Sequence, residues 1–134
     1  MKNAVILSLF SLGMLVPGVS IGNETSPDFL KKEIEIAHTE YLNGSFESGI
    51  YALEALARIL ESDDSTTLHS DVGSNNLAFT YLRIGLLHEK SGNQSTADSY
   101  FTKAISSYHG EQVEIVQLKE AALQLDEIAM NNRS

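Results

Sequence analysis

Apolar residues recur every three or four positions along most of this chain, a spacing that places them on one face of an α-helix. The segment 27–43 follows this pattern and begins with Ser26 and Pro27, a capping hydroxyl followed by a proline at the first helical position. Gly44 interrupts the pattern, which resumes over 46–62. Since so few residues separate the two segments, they are expected to be helices that fold back on each other as an antiparallel hairpin.

A second hairpin is predicted over 75–108, after the polar, turn-rich loop 63–74. Its first helix is apolar over a wide arc, which is typical of a helix that packs between neighbours. Gly92 ends that helix, and the second helix is expected over 94–108. The middle of the chain is therefore predicted to consist of two helical hairpins joined by one long polar loop.

A last helix is predicted over 111–130, where it would cap the end of the fold. Five apolar residues form its stripe at alternating steps of three and four: Ile115, Leu118, Ala122, Leu125 and Ala129. Three other apolar residues lie off that stripe: Val116, Leu123 and Met130. No strand-like alternation of apolar and polar residues occurs, so the chain is predicted to be all-α, with about five helices in one domain over 21–134.

The residues before this domain, 1–20, are predicted to be a secretory signal peptide. Lys2 gives a short basic start, an apolar run covers 4–16, and a Pro-Gly break precedes the small residue Ser20. A membrane-spanning helix needs about 20 apolar residues, more than this run supplies. Cleavage after Ser20 is expected, which would leave a periplasmic or secreted protein with no stable membrane insertion. The alternatives are an uncleaved membrane anchor and a buried N-terminal helix.

Small residues recur within 77–108 at the points where the two helices of a hairpin would approach most closely. These small residues are Gly85, Gly92, Ala97 and Ala104, and the aromatic residue Phe101 lies between the last two. This spacing resembles one hairpin of the tetratricopeptide (TPR) repeat, in which small residues permit close packing and the aromatic ring fills the remaining space. The hairpin 27–62 resembles the repeat less well, since Leu56 stands where a small residue belongs. An unrelated antiparallel helix bundle is the alternative.

The TPR resemblance implies a protein-binding surface, because the first helix of each hairpin lines a concave face in that family. Carried over onto this chain, the partner-binding residues would be Ile34, His38, Tyr41, Phe79, Leu82, Leu86, Glu89 and Lys90. If Phe79, Leu82 and Leu86 are exposed, they form an apolar groove for an amphipathic helix or an extended peptide. Leu82→Glu should then abolish binding and leave helicity intact. If the N-terminal helix or the loop covers them, that groove is closed.

The charge of the chain narrows the choice of partner. Its 134 residues include 18 acidic and 9 basic side chains, for a formal net charge of −9. This charge disfavours binding to nucleic acid and to anionic lipid, whereas it would steer a basic protein toward the surface. The chain has no cysteine, which excludes thiolate chemistry, disulfides and attachment of a lipid through cysteine.

No motif in the sequence indicates catalysis or a bound metal. An HExxH pair is missing, and the four histidines are scattered along the chain: His38, His69, His88 and His109. The sequence also lacks a Gly-x-Ser-x-Gly elbow and a glycine-rich phosphate loop. We therefore expect that the protein is not an enzyme and uses no cofactor and no metal.

Three functions are compatible with these features. The first is an exported adaptor that binds a peptide or helix of a partner protein through its concave face. The second is an inhibitor or immunity protein that neutralises an envelope toxin or hydrolase, since a small acidic chain is complementary in charge to a basic target. The third is a structural homo-oligomer, because two hairpins are fewer than the three units that such repeats normally need.

Overall fold

The computed structural model describes residues 26–62 and 75–132. Over these residues the chain forms five α-helices and no strand, namely α1 (Pro27–Asn43), α2 (Phe46–Ser62), α3 (Asn76–Lys90), α4 (Gln94–Ser107) and α5 (Ile115–Asn131). The all-α fold class predicted from the periodicity is confirmed. The predicted signal peptide 1–20 and the predicted loop 63–74 lie outside the described residues. Within 26–62 and 75–132, no helix is both long and apolar enough to span a bilayer.

Local capping groups set the ends of α1 as the sequence pattern predicts. The Ser26 hydroxyl accepts a hydrogen bond of 3.2 Å from the Phe29 amide, so one of the free N–H groups of the first turn is satisfied. At the other end the Gly44 amide donates to the Glu40 carbonyl at 2.8 Å. Two residues later α2 begins, and its residue Gly49 lies against the backbone of Tyr41 in α1.

The α3–α4 pair is packed closely around one glycine. A methyl group at Gly85 would lie 2.6 Å from the Phe101 ring, so the two helices can approach this closely only because Gly85 has no side chain. Ala97 and Ala104 are fully buried in the same core. Gly92 joins the two helices with a φ of +91°, a left-handed conformation that favours glycine at the end of a helix.

Helix α5 begins at Ile115 rather than at residue 111 as the sequence suggested. Gly110 has a φ of +142°, which helical residues do not adopt. The side chain of Gln117 reaches back and accepts a hydrogen bond of 2.8 Å from the Glu114 amide, so the cap forms at Glu114. The residues 111–114 have side chains that suit a helix, but this cap starts the helix after them.

Helix α3 is the centre of the domain, since it packs against α2, α4 and α5, while α1 packs against α2. The wide apolar arc of α3 predicted this position between neighbours. The largest fully buried side chains come from three of the helices: Leu30, Leu53, Leu82 and Ile84. Helix α5 buries Leu118 and Ala122, whereas Leu125, which the sequence placed on the same stripe, is half exposed.

Candidate partner-binding groove

The structure closes the apolar groove that the sequence offered as one of two alternatives. Leu82 is fully buried and Leu86 nearly so, and both belong to the hydrophobic core. Phe79 is partly buried and packs against that core, as does Ile34 on α1. The physical reason is the central position of α3, which leaves its apolar arc in contact with neighbouring helices instead of solvent.

Helix α5 contacts three other residues of the predicted concave face. The Lys119 ammonium donates to Glu89 Oε2 at 3.0 Å. Asp126, one of the buried residues of α5, contacts both His38 and Tyr41. The C-terminal helix of the chain therefore lies where the sequence-based interpretation placed a partner.

Asp126 is the centre of a polar network that ties α5 to α1 and α3. His38 Nε2 lies 3.2 Å from Asp126 Oδ1, and the Tyr41 hydroxyl donates to Oδ2 at 2.7 Å. Arg83 on α3 approaches Oδ1 with two nitrogens, Nε at 3.0 Å and Nη2 at 2.9 Å. Both carboxylate oxygens therefore already accept side-chain hydrogen bonds, which leaves Asp126 a structural anchor.

The protonation of this network follows from its burial and its charges. Burial alone would raise the pKa of Asp126, but the hydrogen bond from His38 and the charge of Arg83 outweigh it, so the net effect lowers that pKa. Burial, and then the neighbouring Asp126 carboxylate, raise the pKa of Tyr41. At neutral pH the network is therefore an Asp126 carboxylate held by the Arg83 cation and by the neutral phenol of Tyr41.

Aromatic rings cover the remaining faces of the Arg83 guanidinium. Its central carbon lies 5.7 Å from the centre of the Tyr41 ring and 5.8 Å from the centre of the Phe79 ring. The His38 and Tyr41 rings are stacked at 5.9 Å. Four of the residues around Asp126 therefore restrain one another, and the position of α5 relative to α1 and α3 is determined by hydrogen bonds as well as by apolar packing.

Beside this network, a cavity of about 380 Å³ opens between the C-terminal ends of α1, α3 and α5. We call it the end groove, and its lining residues are Tyr41, Leu42, Leu87, Lys90, Leu123, Asp126, Glu127, Met130 and Asn131. Its volume lies in the range of ligand-binding clefts, about 300–1,000 Å³. Of the residues that the sequence placed on the concave face, Tyr41 and Lys90 line the end groove, whereas Leu82 and Leu86 do not.

Helix α5 also presents apolar side chains to solvent on both sides of its buried stripe. Positions 116, 123 and 130 are seven residues apart and so share one side, which includes the wall of the end groove. Leu125 and Ile128 lie on the other side. Leu123 is 49 % exposed and Ile128 is 57 % exposed, so these two positions, one on each side, have similar exposure.

Several residues of this site were not among the sequence-based candidates, and Arg83, Leu123, Asp126 and Met130 matter most among them. A signal for two of them existed, because Leu123 and Met130 are apolar residues off the buried stripe of their helix, which indicates a second contact surface. Asp126 gave no such signal, since its contact with His38 spans 88 residues of sequence. Over the described ranges 26–62 and 75–132, no group of three or more His, Cys, Asp or Glu side chains is placed to hold a metal ion.

Comparison of this chain with protein-family models, with curated proteins and with solved structures finds no match.

Proposed function

We propose that this protein is an exported, TPR-like adaptor that binds a segment of a partner protein in the end groove. The observation that carries the proposal is the groove itself, an open cavity with apolar walls from Leu42, Leu87 and Leu123 beside a rigid polar network. Apolar walls with a few fixed polar groups are the usual composition of a binding cleft. The close packing at Gly85 supports the TPR-like part of the proposal, and the N-terminal sequence pattern supports export.

The partner segment is expected to combine apolar anchors with basic residues. Leu123 and the neighbouring Leu87 provide an apolar contact, and the half-exposed Leu123 loses its contact with water when a partner side chain covers it. The Asp126 charge is already compensated by Arg83. The net charge of −9 acts over a longer range and raises the rate of encounter with a basic chain.

Two matched substitutions on α5 test this proposal. Leu123→Glu and Ile128→Glu add the same charge to the same helix at similar exposure, but only Leu123 lines the end groove. We expect wild-type protein and Ile128→Glu to retain the same protein from an extract of the cells that make it, and Leu123→Glu to lose it. The measurement is quantitative mass spectrometry of the retained proteins. Retention of that protein by Leu123→Glu would contradict binding in the end groove.

Self-association is a second candidate, favoured by the apolar side of α5 that carries Leu125 and Ile128 outside the groove. Two copies could bury these side chains against each other, as stacked helices do in repeat arrays. Analytical ultracentrifugation separates the two functions. A dimer that Ile128→Glu abolishes and Leu123→Glu leaves intact would support self-association, whereas a monomer at high protein concentration would contradict it.

A further inference from the structure

A second cavity, of about 260 Å³, lies between α2, α3 and α4 and shares no lining residue with the end groove. Its chemistry differs from that of the groove, because its lining carries two tyrosine rings and four charged side chains. The residues that line it are Glu54, Ala57, Arg58, Glu61, Tyr81, Ile84, Tyr100 and Lys103. We call this cavity the tyrosine cage.

Two tyrosine rings form adjacent walls of the cage. The centres of the Tyr81 and Tyr100 rings are 6.2 Å apart, and the ring planes are inclined by 44°. His88 stacks on Tyr100 at 5.8 Å with nearly parallel planes. The rings are therefore held at an angle that presents two electron-rich faces to one point.

Two carboxylates of α2 hold the tyrosine hydroxyls. Tyr81 donates a hydrogen bond to Glu61, and Tyr100 donates to Glu54 Oε2 at 3.1 Å. Burial, followed by these carboxylates, raises the pKa of both tyrosines, so the rings stay neutral. The negative charge of the two carboxylates adds to the electron-rich ring faces and makes the cage favourable for a cation.

Lys103 shows that the cage accommodates an ammonium group. Its Nζ lies 5.1 Å from the centre of the Tyr100 ring and 5.5 Å from that of the Tyr81 ring, both within the range of cation–π attraction. No carboxylate of the described residues lies within ion-pair distance of this ammonium. The Lys103 residue is exposed, so its flexible side chain can move into solvent and uncover the parts of the two rings over which its ammonium lies.

We propose that the tyrosine cage is a binding site for an organic ammonium group, which takes the place of the Lys103 ammonium. The charges of the lining agree with a single positive ligand. Glu54 and Glu61 balance Arg58 and Lys103 when the lysine is inside, and its departure leaves one net negative charge. The ligand is either a quaternary ammonium compound or the lysine side chain of another protein, since the two share this chemistry.

The test is a titration of the purified full-length protein with two probes, choline and N-acetyl-lysine methylamide, followed by NMR chemical shifts. We expect both probes to shift the signals of the cage residues. Lys103→Met removes the competing ammonium and should tighten binding by about tenfold. Lys90→Met, the same substitution at an exposed lysine of the end groove, is the control and should leave probe affinity unchanged.

Two further variants test the cage itself, and circular dichroism shows whether a loss of probe binding comes from unfolding. Tyr100→Leu removes one ring face and should weaken binding of the probes by about tenfold. Glu54→Gln preserves the shape of the cage but removes one carboxylate, so it should also weaken binding, with unchanged circular dichroism as evidence of folding. Tighter binding of choline would assign the cage to quaternary ammonium compounds, and tighter binding of the lysine derivative to lysine side chains. If neither probe changes the NMR chemical shifts of the cage residues, in wild-type protein or in Lys103→Met, the proposal is wrong.

Discussion

Replacing Asp126 by alanine should destabilise the protein more than any other single change of a charged residue on α5. The side chain of Asp126 is only 9 % exposed and that of Arg83 only 13 %, so the substitution leaves a buried guanidinium without its counter-charge. It also removes the acceptor of the Tyr41 hydroxyl. Breaking a buried pair in this way costs about 3–5 kcal/mol, and partial solvent access places the expected loss near the lower value, about 3 kcal/mol.

Urea denaturation followed by circular dichroism at 222 nm measures this loss. For a domain of this size the free energy of unfolding falls by about 1–1.5 kcal/mol per molar urea, so the midpoint should decrease by about 2–3 M. Glu127→Ala provides the control, because Glu127 is the exposed neighbour of Asp126, and its replacement should change stability by less than about 0.5 kcal/mol.

A double substitution separates the unpaired charge from lost packing. In Arg83→Met with Asp126→Leu, neither buried charge remains and the apolar side chains fill similar volumes, so at least about half of the lost stability should return. A loss below about 1 kcal/mol for Asp126→Ala would refute the reasoning. It would mean that Asp126 does not anchor α5 to α1 and α3.

Three further predictions concern pH and the helix core. The pKa of Asp126 is lower in the folded state than in the unfolded state. Its contribution to stability is therefore present above the unfolded value of about 4 and disappears as the pH falls through the lower folded value. The free energy of unfolding, measured as a function of pH, should decrease over this acid range in wild-type protein and not in Asp126→Asn. Leu82→Glu should unfold the domain rather than leave helicity intact, because it puts a carboxylate in a fully buried position; a native circular dichroism spectrum would contradict that burial. Gly85→Ala should lower stability by about 1–3 kcal/mol through overlap with the Phe101 ring. A methyl group at Gly49 would lie 3.0 Å from the flexible side chain of Leu87 and 3.4 Å from the backbone of Glu40 and Tyr41, so Gly49→Ala should cost less in the same urea assay.

The helices of this protein could be predicted from local sequence because local groups determine where they begin and end. Ser26 and Pro27 mark the start of α1, and Gly92 marks the turn between α3 and α4, as these residue types indicate. The sequence pattern predicts the start of α5 at residue 111, four residues before its actual start at Ile115. The residues before Ile115 suit a helix individually, and only the cap between Glu114 and Gln117 reveals the true start.

The burial of Leu82 shows how two sequence arguments conflicted. The wide apolar arc of α3 predicted that this helix is enclosed by neighbours, whereas the TPR resemblance placed Leu82 on an open concave face. The structure agrees with the apolar arc, because hydrophobic periodicity reports on burial directly. The resemblance assigns a face by analogy, and it does not account for the contacts that α5 makes with His38, Tyr41 and Glu89 on that face.

Both candidate sites depend on contacts that no local pattern encodes. The hydrogen bond between Tyr41 and Asp126 joins residues 85 positions apart, and that between Tyr100 and Glu54 joins residues 46 positions apart. Acidic residues are common in this chain, so neither carboxylate stands out in the sequence. Their roles follow from the packing of the helices, which places each beside a tyrosine hydroxyl.

Site-specific photocross-linking tests the central claim, that a partner protein binds in the end groove. A photoreactive p-benzoylphenylalanine is introduced at Leu123 in the groove wall, and separately at Ile128 and at Tyr51, an exposed residue of α2 outside the groove. Irradiation of the cells that make the protein should yield one specific adduct from position 123 and none of the same mass from the other two positions. An identical adduct from all three positions, or none from position 123, would contradict the account.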